Sequence, residues 1–257
     1  MNSIKKIIEQ NRDPVGTFIF SRSQAAIEVL AEIGYDFAVI GAEHFMVNPE
    51  KIEQLITAAE AAGIVPYVRV QENTDLIQRV LDCGAEGIIS PMIDNVEEAR
   101  EIVNVAKFPP IGSRGVGNPR STNYGIRGGD YLDRCYEKQN KNQSVILQIE
   151  TEESLVNIKE IASTRGVDSL FIGPWDLSHS LNQTDRDGGE KLLEDKINVA
   201  LRECKKSDTA IGIFSWGSEE ATRRLEQGFD YVICGGDVIF LANSAKEELE
   251  NIKNKFN

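Results

Sequence analysis

The 257-residue chain is 41% hydrophobic and 7% aromatic, and its 41 Asp and Glu outnumber 28 Lys and Arg to give a formal net charge of -13. This length suits one large domain, for which an α/β barrel uses about 250 residues, and residues 1-257 are read as a single domain. The acidic balance excludes an extended phosphate-binding surface, and neither a signal-like segment in MNSIKKIIEQNRDP nor an 18-residue apolar run is seen, so a soluble, cytoplasmic protein is expected that binds neither nucleic acid nor membrane.

Eight short β-rich runs follow in chain order: VGTFIF from Val15, FAVI from Phe37, VPYVRV from Val65, GIISPM from Gly87, VILQIE from Val145, DSLFIG from Asp168, AIGIF from Ala210 and YVICGG from Tyr231. Each interval holds a helix and its turns. Runs such as FAVI and SLFIG are continuously apolar, as parallel strands covered on both faces require. Between them, NPEKIEQLITAAEAAG shows the helix logic: Asn48 caps, Pro49 takes the first turn, Ile52, Leu55, Ile56 and Ala59 share one face, and Gly63 ends it. TDLIQRVLDCGA and NVEEAREIVNVA repeat the pattern. The alternation predicts a (β/α)8 TIM barrel; a doubly wound sheet is the alternative, disfavoured because no G-x-G-x-x-G follows the first strand.

Two intervals are long. GSRGVGNPRSTNYGIRGGDYLDRCYEKQNKNQ reads as a loop reaching over a site or into a partner, and LNQTDRDGGEK as a candidate lid. In the last helix, Ala245, Leu249, Ile252 and Phe256 line one face that covers either its own barrel or a neighbour's. Cys83, Cys135, Cys204 and Cys234 form no C-x-x-C pair, so neither a zinc knot nor a redox motif is expected.

Barrel enzymes carry their sites at the carboxyl ends of the strands. That rule selects Gly41 to His44, Arg69, Pro91 and Met92, Gln148 and Glu150, and Gly173 to Ser178. Glu150 and Asp176, delivered from consecutive strand ends, suit a hard divalent cation that takes oxygen ligands and leaves positions open. Their other reading is structural, as helix caps or partners of an Arg. Arg69 either balances rim carboxylates or aims a fixed charge at an oxyanion. His44, one of two histidines with His179, is a structural residue or a proton shuttle. GSRGVG lacks the Lys and Ser/Thr of a phosphate loop.

AEHF, YVRV, GIISPM, FPPIGSRGVG, LQIET and FIGPWDLS, in that order, resemble the metal-dependent class II pyruvate aldolases of the HpcH/HpaI family over nearly the whole chain. The resemblance implies a barrel of the phosphoenolpyruvate/pyruvate type, assembled as a homo-oligomer (trimer or hexamer) with its last helix exchanged between subunits. It places metal ligands at Glu150 and Asp176, a pyruvate-side Gln at Gln148, an enolate-stabilising Arg at Arg69 and the family's histidine at His44. The backbone of Gly173, Pro174, Trp175 and Asp176 would hold the pyruvate carboxylate. Mg2+ or Mn2+, with Co2+ as a further option, would be the cofactor, and a 2-oxo acid and an aldehyde the small-molecule partners.

Two departures stand out. Gly41 occupies the place of an acidic residue that orients the histidine in many members, and Trp175 replaces a smaller residue. The expected reaction is reversible cleavage of a 4-hydroxy-2-oxo acid to pyruvate and an aldehyde. The alternatives are a related lyase for a larger or thioester substrate, and a catalytically reduced metal and 2-oxo-acid binding barrel.

Overall fold

In a computed structural model describing residues 3–10, 13–71, 74–181, 186–207 and 209–255, every one of the eight apolar runs is a strand. These are β1 (Val15–Ile19), β2 (Phe37–Gly41), β3 (Val65–Arg69), β4 (Gly87–Ser90), β5 (Ser144–Ile149), β6 (Ser169–Ile172), β7 (Ala210–Ser215) and β8 (Tyr231–Gly236). All pairs are parallel, each strand lies beside the next, and β8 returns to β1, closing the (β/α)8 barrel. The doubly wound alternative is thereby excluded.

The helix Pro49–Ala62 forms as its sequence dictates. The Asn48 side chain accepts the Lys51 N–H at 2.8 Å, Gly63 turns the chain at φ 82°, and Ile52, Leu55, Ile56 and Ala59 are buried. The helices Thr74–Asp82 and Val96–Ala106 fill the next intervals. Their apolar faces and the outward faces of the strands make one core layer.

The barrel interior is filled by a second layer that includes Phe37, Val39, Tyr67, Ile146, Phe171 and Tyr231, and Ile4 and Ile7 of the helix Ile4–Gln10 plug its amino end. The large rings fit because glycines face them. A Cβ on Gly16 would lie 2.1 Å from the Phe37 ring, and one on Gly212 2.2 Å from the Tyr231 ring. A site therefore has room only at the carboxyl end.

Glu86, just before β4, is buried at the amino end with its Oε2 unbonded among the described residues. Burial pushes its carboxyl up to about 7. A folded-state pKa above the unfolded value means stability that is full at pH below about 4.5 and declines as pH rises through 7. We expect Glu86→Gln to flatten this dependence, removing about 2 kcal/mol of the stability difference between pH 5 and pH 8 in urea titrations.

The long segment before β5 departs from expectation. It holds a 3-10 turn, Arg120–Gly125, and the helix Gly129–Asn142. It packs toward the amino ends of the strands: Arg114 is buried between Asp82 and Gln143, and Arg120 bonds the Cys83 carbonyl and pairs with Glu60. Two buried or half-buried guanidiniums satisfied in this way hold the segment far from the carboxyl end. It does not reach over the site, and Arg114 in GSRGVG is structural. Of LNQTDRDGGEK, residues 182–185 lie outside the described residues, and Arg186 begins the helix Arg186–Cys204.

The final helix is Asp237–Asn254. Only its first turns touch the barrel, through Asp237, which accepts the Phe20 N–H at 2.8 Å, and Phe240, beside Tyr35. From Leu241 to Lys255 every residue is exposed, with Leu249 at 51% and Ile252 at 56%. The described part of the apolar face does not cover its own barrel; Phe256 lies outside the described residues. All four cysteines are free. Among the described residues no helix is long and apolar enough to cross a membrane.

Candidate active site

The carboxyl end of the barrel divides into a charged side and an aromatic side. On the charged side, Glu150 follows β5 and Gln148 lies two residues earlier on the same strand face, each only 2% exposed. Glu150 Oε1 accepts the Met92 N–H at 2.8 Å, and Oε2 accepts a bond from Gln148 Nε2. Met92 sits in the left-handed region at φ 57°, a conformation rarely held without a structural return. Gly173, at the end of β6, completes the enclosure, because a Cβ there would lie 2.9 Å from Glu150 Oε2 and 3.0 Å from Gln148 Nε2.

Asp176 stands on the first turn of the helix Pro174–Ser180 and lines the same cavity as Gln148, Arg69 and His44. Burial pushes the Glu150 carboxyl up to about 7; the negative charges of Asp176 and Glu43 act in the same direction, against the bonds from Gln148 and Met92. Gln148 Oε1 is buried with no partner among the described residues. Crowded carboxylates and an unbonded amide oxygen are an environment short of positive charge, and they fit a divalent cation. No three His, Cys, Asp or Glu side chains converge among the described residues. A cation here would keep positions for water and substrate, the habit of Mg2+ and Mn2+.

The Gly41 departure has a geometric counterpart. A Cβ on Gly41 would lie 3.0 Å from the Phe20 ring, and one on Gly236 2.7 Å from its other edge, so Phe20 fills the slot between the ends of β2 and β8. A side chain at position 41 would require the Phe20 ring to give way. Instead Glu43 faces both functional groups: its Oε2 is 3.0 Å from Arg69 Nε and its Oε1 3.3 Å from His44 Nε2. The Arg69 contact is an ion pair without hydrogen-bond alignment, since neither atom meets the geometry of a bond. Burial lowers the Arg69 pKa, while Glu43, Glu150 and Asp176 oppose that shift. The guanidinium also lies 4.7 Å from the Phe18 ring centroid, which fixes its plane. His44 is exposed and His179 stands on the outer part of its helix, also exposed.

The cavity between these groups measures about 400 Å³. Its other wall consists of Phe18, Phe20, Trp175, Phe214 and Trp216, of which only Trp175 is singled out by the sequence reading. Trp216 and Phe214 lie at the carboxyl end of β7, so the strand-end rule carried one strand further finds them. One expectation narrows. The Gly173 N–H is bonded to the Ile149 carbonyl at 3.2 Å and Pro174 has no N–H, which leaves the first-turn amides of Trp175 and Asp176 for an anion.

A family model described as HpcH/HpaI aldolase/citrate lyase matches residues 15–244. A 2-dehydro-3,6-dideoxy-6-sulfogluconate aldolase of Pseudomonas putida is 33% identical, over 97% of this chain and 96% of its own. Among solved structures, a HpcH/HpaI aldolase/citrate lyase family protein from Burkholderia cenocepacia J2315 is 31% identical with a TM-score of 0.89, covering 98% of this chain and 100% of its own. The citrate synthase SbnG is 30% identical with a TM-score of 0.83, covering 96% of each chain.

Proposed function

The chain belongs to the HpcH/HpaI aldolase/citrate lyase family, and on that premise we propose that it is a class II pyruvate aldolase, reversibly cleaving a 4-hydroxy-2-oxo acid to pyruvate and an aldehyde. The observation that carries the reading is the buried Glu150, held by Met92 and by Gln148, which lines one cavity with Asp176 and Arg69, and close enough to Asp176 to feel its charge. Glu150 and Asp176 hold Mg2+ or Mn2+, with Co2+ a further option, which when bound supplies Lewis-acid polarisation of the C2 carbonyl.

The remaining chemistry falls to the chain's own side chains. The Trp175 and Asp176 amides, at the start of a helix, orient the carboxylate of the 2-oxo acid, and the Gln148 side-chain N–H not given to Glu150 donates to it. His44, with Nε2 toward Glu43, takes the proton of the 4-hydroxyl in cleavage. The oxygen's electron pair becomes the aldehyde C=O as the C3–C4 bond breaks, and that bond pair passes to C3 as the pyruvate enolate. Arg69 stabilises the enolate oxygen with its guanidinium charge. A proton added at C3 gives pyruvate; addition runs the same steps backward. The ion pair with Glu43 and the Phe18 ring hold Arg69 in place for this.

A second reading, carbon–carbon chemistry on a larger or thioester substrate, draws support from the likeness to the citrate synthase. The reading as a catalytically reduced binding barrel rests on Gly41, and the approach of Glu43 to His44 argues against it. We further propose that the protein acts as one barrel domain in the cytoplasm and as a homo-oligomer, trimer or hexamer, with support from the exposed apolar Leu241, Leu249 and Ile252.

The proposal is tested by condensing pyruvate with a panel of aldehydes and assaying the 4-hydroxy-2-oxo acid formed. Product is expected with Mg2+ or Mn2+, loss is expected after chelation, and return on adding the cation back. Product from acetyl thioesters but from no aldehyde would favour the second reading.

A further inference from the structure

The aromatic side of the cavity is a continuous arc. Trp175 meets Trp216 edge to face at 5.7 Å, Trp216 meets Phe214 at 5.1 Å, Phe214 lies 6.0 Å from Phe18, Phe18 stacks on Phe20 at 5.1 Å, and Phe20 on Phe45 at 4.9 Å. The arc joins rings from the ends of β6, β7, β1 and β2, with β8 giving none, and faces the charged groups that follow β2, β3, β5 and β6. Both tryptophans of the chain are in it, and Trp175 is 71% and Trp216 53% exposed. These rings are built in: Phe20 needs two glycines to seat it, and the Trp216 backbone is tied by its N–H to Glu220 at 3.1 Å.

Charge around the arc is as informative as its rings. The one permanently charged cation lining the cavity, among the described residues, is Arg69. Arg69 is already paired with Glu43. Behind the Trp175 and Trp216 rings lies a second cleft with Glu190, Glu194 and Glu220, whose guanidiniums, Arg223 and Arg224, are spent on Glu194 and Glu220. Among the described residues, an acceptor running past Trp175 and Trp216 and ending in a carboxylate, sulfonate or phosphate would meet apolar rings and then this carboxylate-lined cleft, with no unpaired cation to replace its lost water; Arg22 and Lys51 lie in a separate cleft, beyond Phe45 at the other end of the arc.

Resting on the aldolase reading above, we infer that the acceptor is an uncharged aldehyde with an apolar aliphatic or aromatic tail, bound along the Phe20, Trp175, Phe214 and Trp216 wall. The charged half of the site orients the 2-oxo acid, and the arc takes the tail by burying it against ring faces and edges. In addition, C3 of the pyruvate enolate bonds to the aldehyde carbon, the C=O pair moves to oxygen, and a proton there completes the 4-hydroxyl, so the tail remains outside the reacting atoms. A wall of this kind selects by contact area, which limits discrimination to about 10- to 200-fold.

The test compares kcat/KM for addition of pyruvate to hexanal, benzaldehyde, glycolaldehyde and succinic semialdehyde, in the wild type and in Trp216→Ala and Trp216→Phe. The wild type is expected to prefer hexanal or benzaldehyde over glycolaldehyde and succinic semialdehyde by at least about 10-fold. Trp216→Ala should erase most of that ratio, and Trp216→Phe should keep it within about threefold. A wild-type preference for succinic semialdehyde or glycolaldehyde overturns the inference. So does an equal loss for all aldehydes in Trp216→Ala together with a changed mass in sedimentation, which would make the arc a contact between copies of the chain. Methyl-proton exchange of pyruvate in the wild type, which needs no aldehyde, separates the two levels: exchange without apolar preference removes the inference alone, and no exchange removes the aldolase reading with it.

Discussion

Glu150→Gln is expected to lower pyruvate turnover by about 10³-fold or more and to weaken Mn2+ binding measured by titration by at least about tenfold. The substitution preserves shape: its one oxygen can still accept the Met92 N–H and its NH2 group can give to the Gln148 Oε1 once that amide flips, but it removes the charge a cation needs. Burial already holds the Glu150 carboxyl up at about 7. The wild-type site therefore spends folding free energy to keep a carboxylate there, and the amide relieves that cost. Activity and stability should move in opposite directions: the variant binds the cation poorly while its urea midpoint at pH 8 stays equal or rises. A loss of activity with a fall in stability would indicate a structural carboxylate instead.

Glu43→Gln is expected to lower kcat by about 10²-fold while changing Mn2+ affinity by less than about threefold. Glu43 touches neither Glu150 nor Asp176 directly but stands between Arg69 and His44, at 3.0 Å and 3.3 Å. Its loss frees a guanidinium that must be held near a developing oxyanion, and an imidazole that needs a partner to fix its tautomer. The pH profile of kcat supplies the readout that a purely structural role would leave unmoved. If Glu43→Gln alters KM for pyruvate and leaves kcat and its pH profile intact, Glu43 positions substrate and not the proton-transfer group.

The barrel was legible because its signals are local and repeated. FAVI and SLFIG read as doubly covered strands, and Asn48, Pro49 and Gly63 read as the two ends of one helix; each does what its sequence says. Glu150 and Asp176 were legible through the strand-end rule together with the order of motifs. What the sequence hides is long-range. The replacement of an acid at Gly41 reads as a missing part until the Phe20 ring, from a different strand, is seen filling its space and Glu43 is seen facing both Arg69 and His44. The polar segment from Gly112 reads as a loop reaching over a site or into a partner because exposed and buried arginines look alike in sequence; Arg114 is in fact buried against Asp82 and Gln143. The aromatic arc joins residues from β1, β2, β6 and β7, an adjacency that exists only once the barrel closes.

Exchange of the pyruvate methyl protons with deuterated water, followed by NMR with and without a divalent cation, tests the central claim most directly, because it isolates enolisation from the choice of aldehyde. Exchange that requires Mg2+ or Mn2+, stops on chelation and is absent in Glu150→Gln is the predicted result. Pyruvate that binds yet keeps its methyl protons with every cation and across the pH range would contradict it.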